Sequence, residues 1–146
     1  MGLFTKNLID DNFIKEISAA IQWAEKNTSG EIRVHIEAEC KKDVLQRATE
    51  VFEELNMTQT AQRNGVLIYL ALHDKVFAIV GDEGIHQKVP ANFWEDIKAE
   101  MLTHFTQHHI KEGIIAAIQR AGEKLKEFFP YEKGDTNELS DEVSFE

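Results

Sequence analysis

With 146 residues the chain has the length of one domain, and a hydrophobic share of 42% is enough to fill a core. Its 26 acidic against 16 basic side chains leave a net charge of −10, which argues against nucleic acid or an anionic membrane as partner, since both demand clustered Lys and Arg. The same balance suits cations. A single cysteine, Cys40, excludes an internal disulfide and a thiolate zinc cluster. No basic-then-apolar leader opens the sequence, and no apolar run approaches the ~18–20 residues that span a bilayer, so the expectation is a soluble cytoplasmic protein without membrane insertion.

From Asp11, Ile14, Ile17, Ile21 and Ala24 recur at helical spacing, predicting an amphipathic helix over 11–27 that ends at the cluster Asn27-Thr28-Ser29-Gly30. "EIRVHIEAE" then alternates Ile32, Val34 and Ile36 with Glu31, Arg33, His35 and Glu37, the pattern of a half-buried strand. Asp43 can cap a second helix over 43–56 with Val44, Ala48, Val51 and Leu55 inward. "GVLIYLAL" reads as a central strand, and His73-Asp74-Lys75 turns it back into "VFAIV" as a hairpin. Pro90 or its neighbours open a helix with Phe93, Trp94, Ile97, Met101 and Phe105 inward. A last helix carries Ile110, Ile114, Ala117, Ile118, Ala121, Leu125 and Phe128, with Pro130 just beyond its end. Residues 131–146 hold six acids against Lys133, half of the total net charge, and read as a flexible acidic tail after a domain over 1–130. Helices distributed around three strands predict an α/β fold, a three-layer α/β/α sandwich with a small mixed β-sheet.

That order makes a geometric prediction. Strand, helix, strand is a crossover unit, so strands one and two run parallel, while strand three returns antiparallel through the hairpin. The start of strand one, the start of strand two and the end of strand three then share one sheet edge. Three polar clusters meet there: Ser29-Gly30-Glu31, Arg63-Asn64-Gly65 and Gly81-Asp82-Glu83-Gly84. Glu31, Asp82 and Glu83 with the amide oxygen of Asn64 form a candidate Ca²⁺ or Mg²⁺ ligand set, because hard cations take oxygen donors at irregular spacing. The plain alternative is that these acids are solvated turn residues, one of them paired with Arg63. His104 and His108 stand at i, i+4, the spacing of paired zinc ligands, but no third ligand accompanies them. The tail's Asp135-x-Asn137 imitates an EF-hand loop yet has Ser140 where the turn requires Gly.

"TSGEIRV", "QRNGVLIYLALHDKVFAIVGDEGI", Trp94, "GIIAAI" and "LKEFFP" together resemble the TPM domain family over roughly residues 8–130. The resemblance implies an α/β/α sandwich, a divalent-cation site at the loops and, for some members, weak acid phosphatase activity. In the loop after strand three the family commonly reads Gly-x-Gly-Leu-Glu, with an Asp at the entry of the next helix. Here Asp82-Glu83-Gly84-Ile85-His86 and Ala91 take those places. The expectations are therefore a cation-binding protein whose metal orders loops at one sheet edge, a metal-assisted phosphatase at the same edge with Arg63 as phosphate contact, or an interaction module for another protein. No nucleotide-cradling glycine motif is present.

Overall fold

The computed structural model describes residues 9–131 and 143–145. In chain order these form α1 (Asp11–Glu25), β1 (Glu31–Glu37), α2 (Val44–Glu54), β2 (Gly65–Ala71), β3 (Val76–Gly81), α3 (Glu83–His86), α4 (Glu95–Thr106), α5 (Ile110–Phe128) and β4 (Ser144–Phe145). The sheet order is β3-β2-β1-β4. β1 and β2 are parallel in the register Glu31↔Gly65 to Glu37↔Ala71, and β3 returns antiparallel with Val66 opposite Gly81. The predicted mixed sheet and the shared edge are both present.

The sheet divides two cores. Ile32, Val34 and Ile36 of β1 and Val66, Ile68 and Leu70 of β2 face α1, α4 and α5, where Ile17, Ile21, Ile114, Ile118 and Leu125 are buried. Each such side chain contributes on the order of 1.5–3 kcal/mol by leaving water. The alternate β2 residues Leu67, Tyr69 and Ala71 face α2 and meet Ala48, Val51 and Phe52. Continuous apolarity in β2 thus follows from helices covering both faces. Helix α1 starts at Asp10, whose carboxylate accepts from the Phe13 N–H at 2.8 Å, and α2 starts at Asp43, which accepts from Gln46 N–H at 3.1 Å. Helices α1 and α5 approach so closely that a Cβ on Gly122 would stand 2.8 Å from the Ala24 Cβ.

Four readings are corrected. The charged loop after β3 is one helical turn, α3, because Asp82 caps it through a 2.7 Å bond from the Glu83 N–H. Pro90 does not open α4: the segment from Pro90 makes turns, with Phe93 N–H bonded to Pro90 C=O at 3.1 Å, and the helix begins at Glu95. The polar face of β1 is not solvated, since Glu31, His35 and Glu37 are all buried. And the C-terminal segment is not free of the sheet throughout: Val143 is buried, and Ser144 and Phe145 pair in parallel with His35 and Ile36. Residues 132–142 and 146 of the predicted tail, with most of its EF-hand-like run, lie outside the described residues.

Candidate functional site

The edge formed by the starts of β1 and β2 and the end of β3 is assembled by backbone bonds. Asp82 N–H donates to Gly65 C=O at 2.9 Å and Gly84 N–H donates to Arg63 C=O at 2.8 Å, fastening α3 to the loop before β2. That contact requires glycine. A Cβ on residue 84 would lie 2.1 Å from the Gln62 carbonyl oxygen and 2.7 Å from that of Arg63. Arg63 itself has φ 51°, the left-handed turn that brings its carbonyl and side chain toward α3. Thr28 Oγ1 donates to the Phe129 carbonyl and accepts from the Gly30 N–H at 3.0 Å, tying the end of α5 to the entry of β1.

The predicted ligands are placed at this edge, but with distinct roles. Asp82 is only 5% exposed, and both its oxygens accept from Arg63: Nε to Oδ2 at 2.8 Å and Nη2 to Oδ1 at 2.9 Å. This bidentate pair raises the Arg63 pKa above its ordinary value, chiefly through the Asp82 hydrogen bond. Glu83 is exposed and stands 3.5 Å from Arg63 Nη1. Glu31 is buried at the first position of β1, its N–H 3.4 Å from the Asn64 carbonyl. Asn64 is 1% exposed; its N–H donates to Thr60 Oγ1 at 3.1 Å and its Nδ2 to Ser29 Oγ at 3.3 Å. Its Oδ1 is buried and accepts no hydrogen bond. Ser29 Oγ also accepts from Gln62 Nε2 at 3.0 Å, so two donors converge on that hydroxyl. Among the described residues, no three His, Cys, Asp or Glu side chains are grouped to hold a metal ion. The edge therefore offers an orphaned amide oxygen and an exposed carboxylate beside an aspartate already held by a guanidinium. His104 and His108 do not form a pair on one face, since α4 ends at Thr106 and His108 has φ 63°.

Sequence reasoning missed a second polar centre, at the far end of β1. Arg47 of α2 grips Glu37 from Nε and Nη2, each at 2.9 Å. The Tyr69 hydroxyl donates to Glu37 Oε2, and His35 Nε2 lies 3.0 Å from Oε1. His35 Nδ1 in turn meets Ser144 Oγ of β4 at 2.8 Å. Burial pushes the Glu37 carboxyl up, but the hydrogen bonds from Arg47, Tyr69 and His35 outweigh it and hold the group at about 2. Burial and the Glu37 carboxylate raise the Tyr69 phenol. One signal was available: Arg47 falls on the inward stripe of α2 beside Ala48 and Val51, where a guanidinium needs acidic partners.

Comparison with known proteins agrees with this architecture. The TPM domain family matches residues 4–124. The NMR structure of the BA42 protein from the psychrophilic bacterium Bizionia argentinensis is 43% identical over 94% of this chain and 95% of that one, with a TM-score of 0.89. The N-terminal domain of a P. gingivalis protein aligns at 14% identity and a TM-score of 0.67, covering 84% of this chain and 79% of that one. The N-terminal domain of the cg2496 protein from Corynebacterium glutamicum aligns at 14% and 0.65, covering 82% and 76%. These two likenesses show a common fold alone. No curated protein matches. Among the described residues no helix is long and apolar enough to cross a membrane. The chain belongs to the TPM domain family.

Proposed function

We propose that the chain binds one divalent cation, Ca²⁺ or Mg²⁺, weakly at the edge where β1 and β2 begin, and that the ion fastens α3 to the loop before β2. The observation that carries this reading is Asn64 Oδ1, a buried oxygen acceptor with no donor. Leaving such a group unmet costs about 1–3 kcal/mol, and a cation ligated there would recover that energy. Glu83, 63% exposed, would have to turn from Arg63 toward it, and Asp82 and Glu31 belong to the same sheet edge. Water completes the six to eight oxygens that Ca²⁺ takes.

Arg63 limits the affinity. Its guanidinium occupies both Asp82 oxygens and repels a second positive charge, so a cation gains Asp82 only as Arg63 withdraws. Arg63 is 43% exposed and can turn to solvent, but the Asp82 carboxylate it leaves is only 5% exposed, so the cation must take the place of the guanidinium there. No observation favours the phosphatase reading: the arginine that would hold phosphate is already engaged by Asp82. The test is a Ca²⁺ titration of the wild type and of Asn64→Ala. Binding in the wild type that weakens at least tenfold in the variant supports the proposal, and equal binding by the two refutes it.

A further inference from the structure

A cavity of about 450 Å³ opens at the opposite end of the sheet, where β2 ends, β3 begins and α4 passes into α5. Its volume falls in the range of pockets that enclose small molecules. Leu70, Leu72, Phe77, Leu102, Phe105 and Ile110 form apolar walls, with the Phe77 and Phe105 rings edge to face at 5.2 Å between centroids. Leu102 is 55% exposed, an apolar side chain left in water at the mouth. The polar lining differs in kind: Lys75, His108 and Thr106, with no carboxylate. The one fully charged residue of the lining is therefore cationic. Lys75 is exposed, has φ 56°, and makes no ion pair among the described residues. The first turn of α5, which begins beside Ile110, has no side-chain cap, and its Glu112 offsets the positive dipole end there.

We propose that this cavity binds a small amphipathic carboxylate, its apolar body between Phe77, Phe105 and Leu102 and its anionic head at Lys75 and His108. An apolar cavity alone would take any greasy molecule; the cationic lining selects the anion. Residues 70–72 line the cavity at one end of β2, whereas Asn64 and Gly65 lie at the other, so the two sites are separate.

The experiment is an amide-shift titration with decanoate, and with decanol and decyltrimethylammonium as neutral and cationic counterparts. Saturable decanoate shifts confined to Leu70–Leu72, Lys75–Phe77, Leu102–Phe105 and Ile110 support the proposal, with decanol weaker and the cation weakest. Lys75→Gln is expected to weaken decanoate about fivefold, as for one partly exposed charge contact, and to leave decanol unchanged. Leu102→Gln, at an exposed position that does not hold the fold, weakens both. Absence of saturable decanoate binding overturns the proposal. So does equal affinity for the three probes, or shifts spread over both faces of the sheet.

Discussion

Replacing Glu37 with Gln keeps the shape of the side chain and removes the charge that Arg47, Tyr69 and His35 surround. The carboxyl sits at about 2 in the folded chain against an ordinary value of 4.5. A folded pKa below the unfolded one means stability that is present above pH 4.5 and is lost as pH falls toward 2. A 2.5-unit difference corresponds to about 3 kcal/mol at pH 7, of which about 2 kcal/mol disappears by pH 3. Urea unfolding of wild type and Glu37→Gln at pH 7, 5, 4 and 3 gives the difference directly. The variant is expected to be about 3 kcal/mol less stable at pH 7, with the gap narrowing by about 2 kcal/mol at pH 3. A gap that stays constant across these pH values would refute the assignment of Glu37 as the anion of this network.

Three further outcomes follow from the geometry. Gly84→Ala forces a methyl into the Gln62 and Arg63 carbonyls and should cost about 2–4 kcal/mol in denaturant unfolding, whereas Gly84 would tolerate alanine if α3 were loosely attached. Arg63→Gln leaves buried Asp82 without its guanidinium, so the metal-free protein should lose about 1–3 kcal/mol while Ca²⁺ affinity rises; calorimetry in the presence and absence of Ca²⁺ reads both. Deleting residues 143–146 removes β4 and exposes His35, with an expected loss of about 1–2 kcal/mol and faster amide exchange at His35 and Ile36. Unchanged exchange would show that β4 does not protect β1.

Much of the fold is legible in the sequence because periodicity reports burial. Ile17, Ile21 and Ala24 mark one helix face, whose fourth member is Phe13 and not the expected Ile14, "GVLIYLAL" marks a strand covered on both sides, and the crossover rule fixes which ends meet. The convergence of Glu31, Asn64 and Asp82 at one edge follows from that rule. Their chemistry does not. Asp82 and Arg63 are 19 positions apart, and no pattern in the sequence announces the left-handed turn at the arginine whose guanidinium binds the aspartate side-on. The Glu37 centre is hidden for a related reason. Alternation along β1 labels Glu37 polar, but burial depends on Arg47, Tyr69 and Ser144 arriving from three other elements. β4 escapes pattern reading altogether, since two residues within an acidic run carry no period.

Binding at the β1/β2 edge is the central claim, and a Ca²⁺ and Mg²⁺ titration followed by backbone amide shifts tests it most directly. Saturable shifts at Glu31, Asn64 and Asp82 to Gly84, with a rise in Tm that grows with ion concentration, are predicted. Amides at those positions that do not move at saturating concentrations of either ion would contradict it.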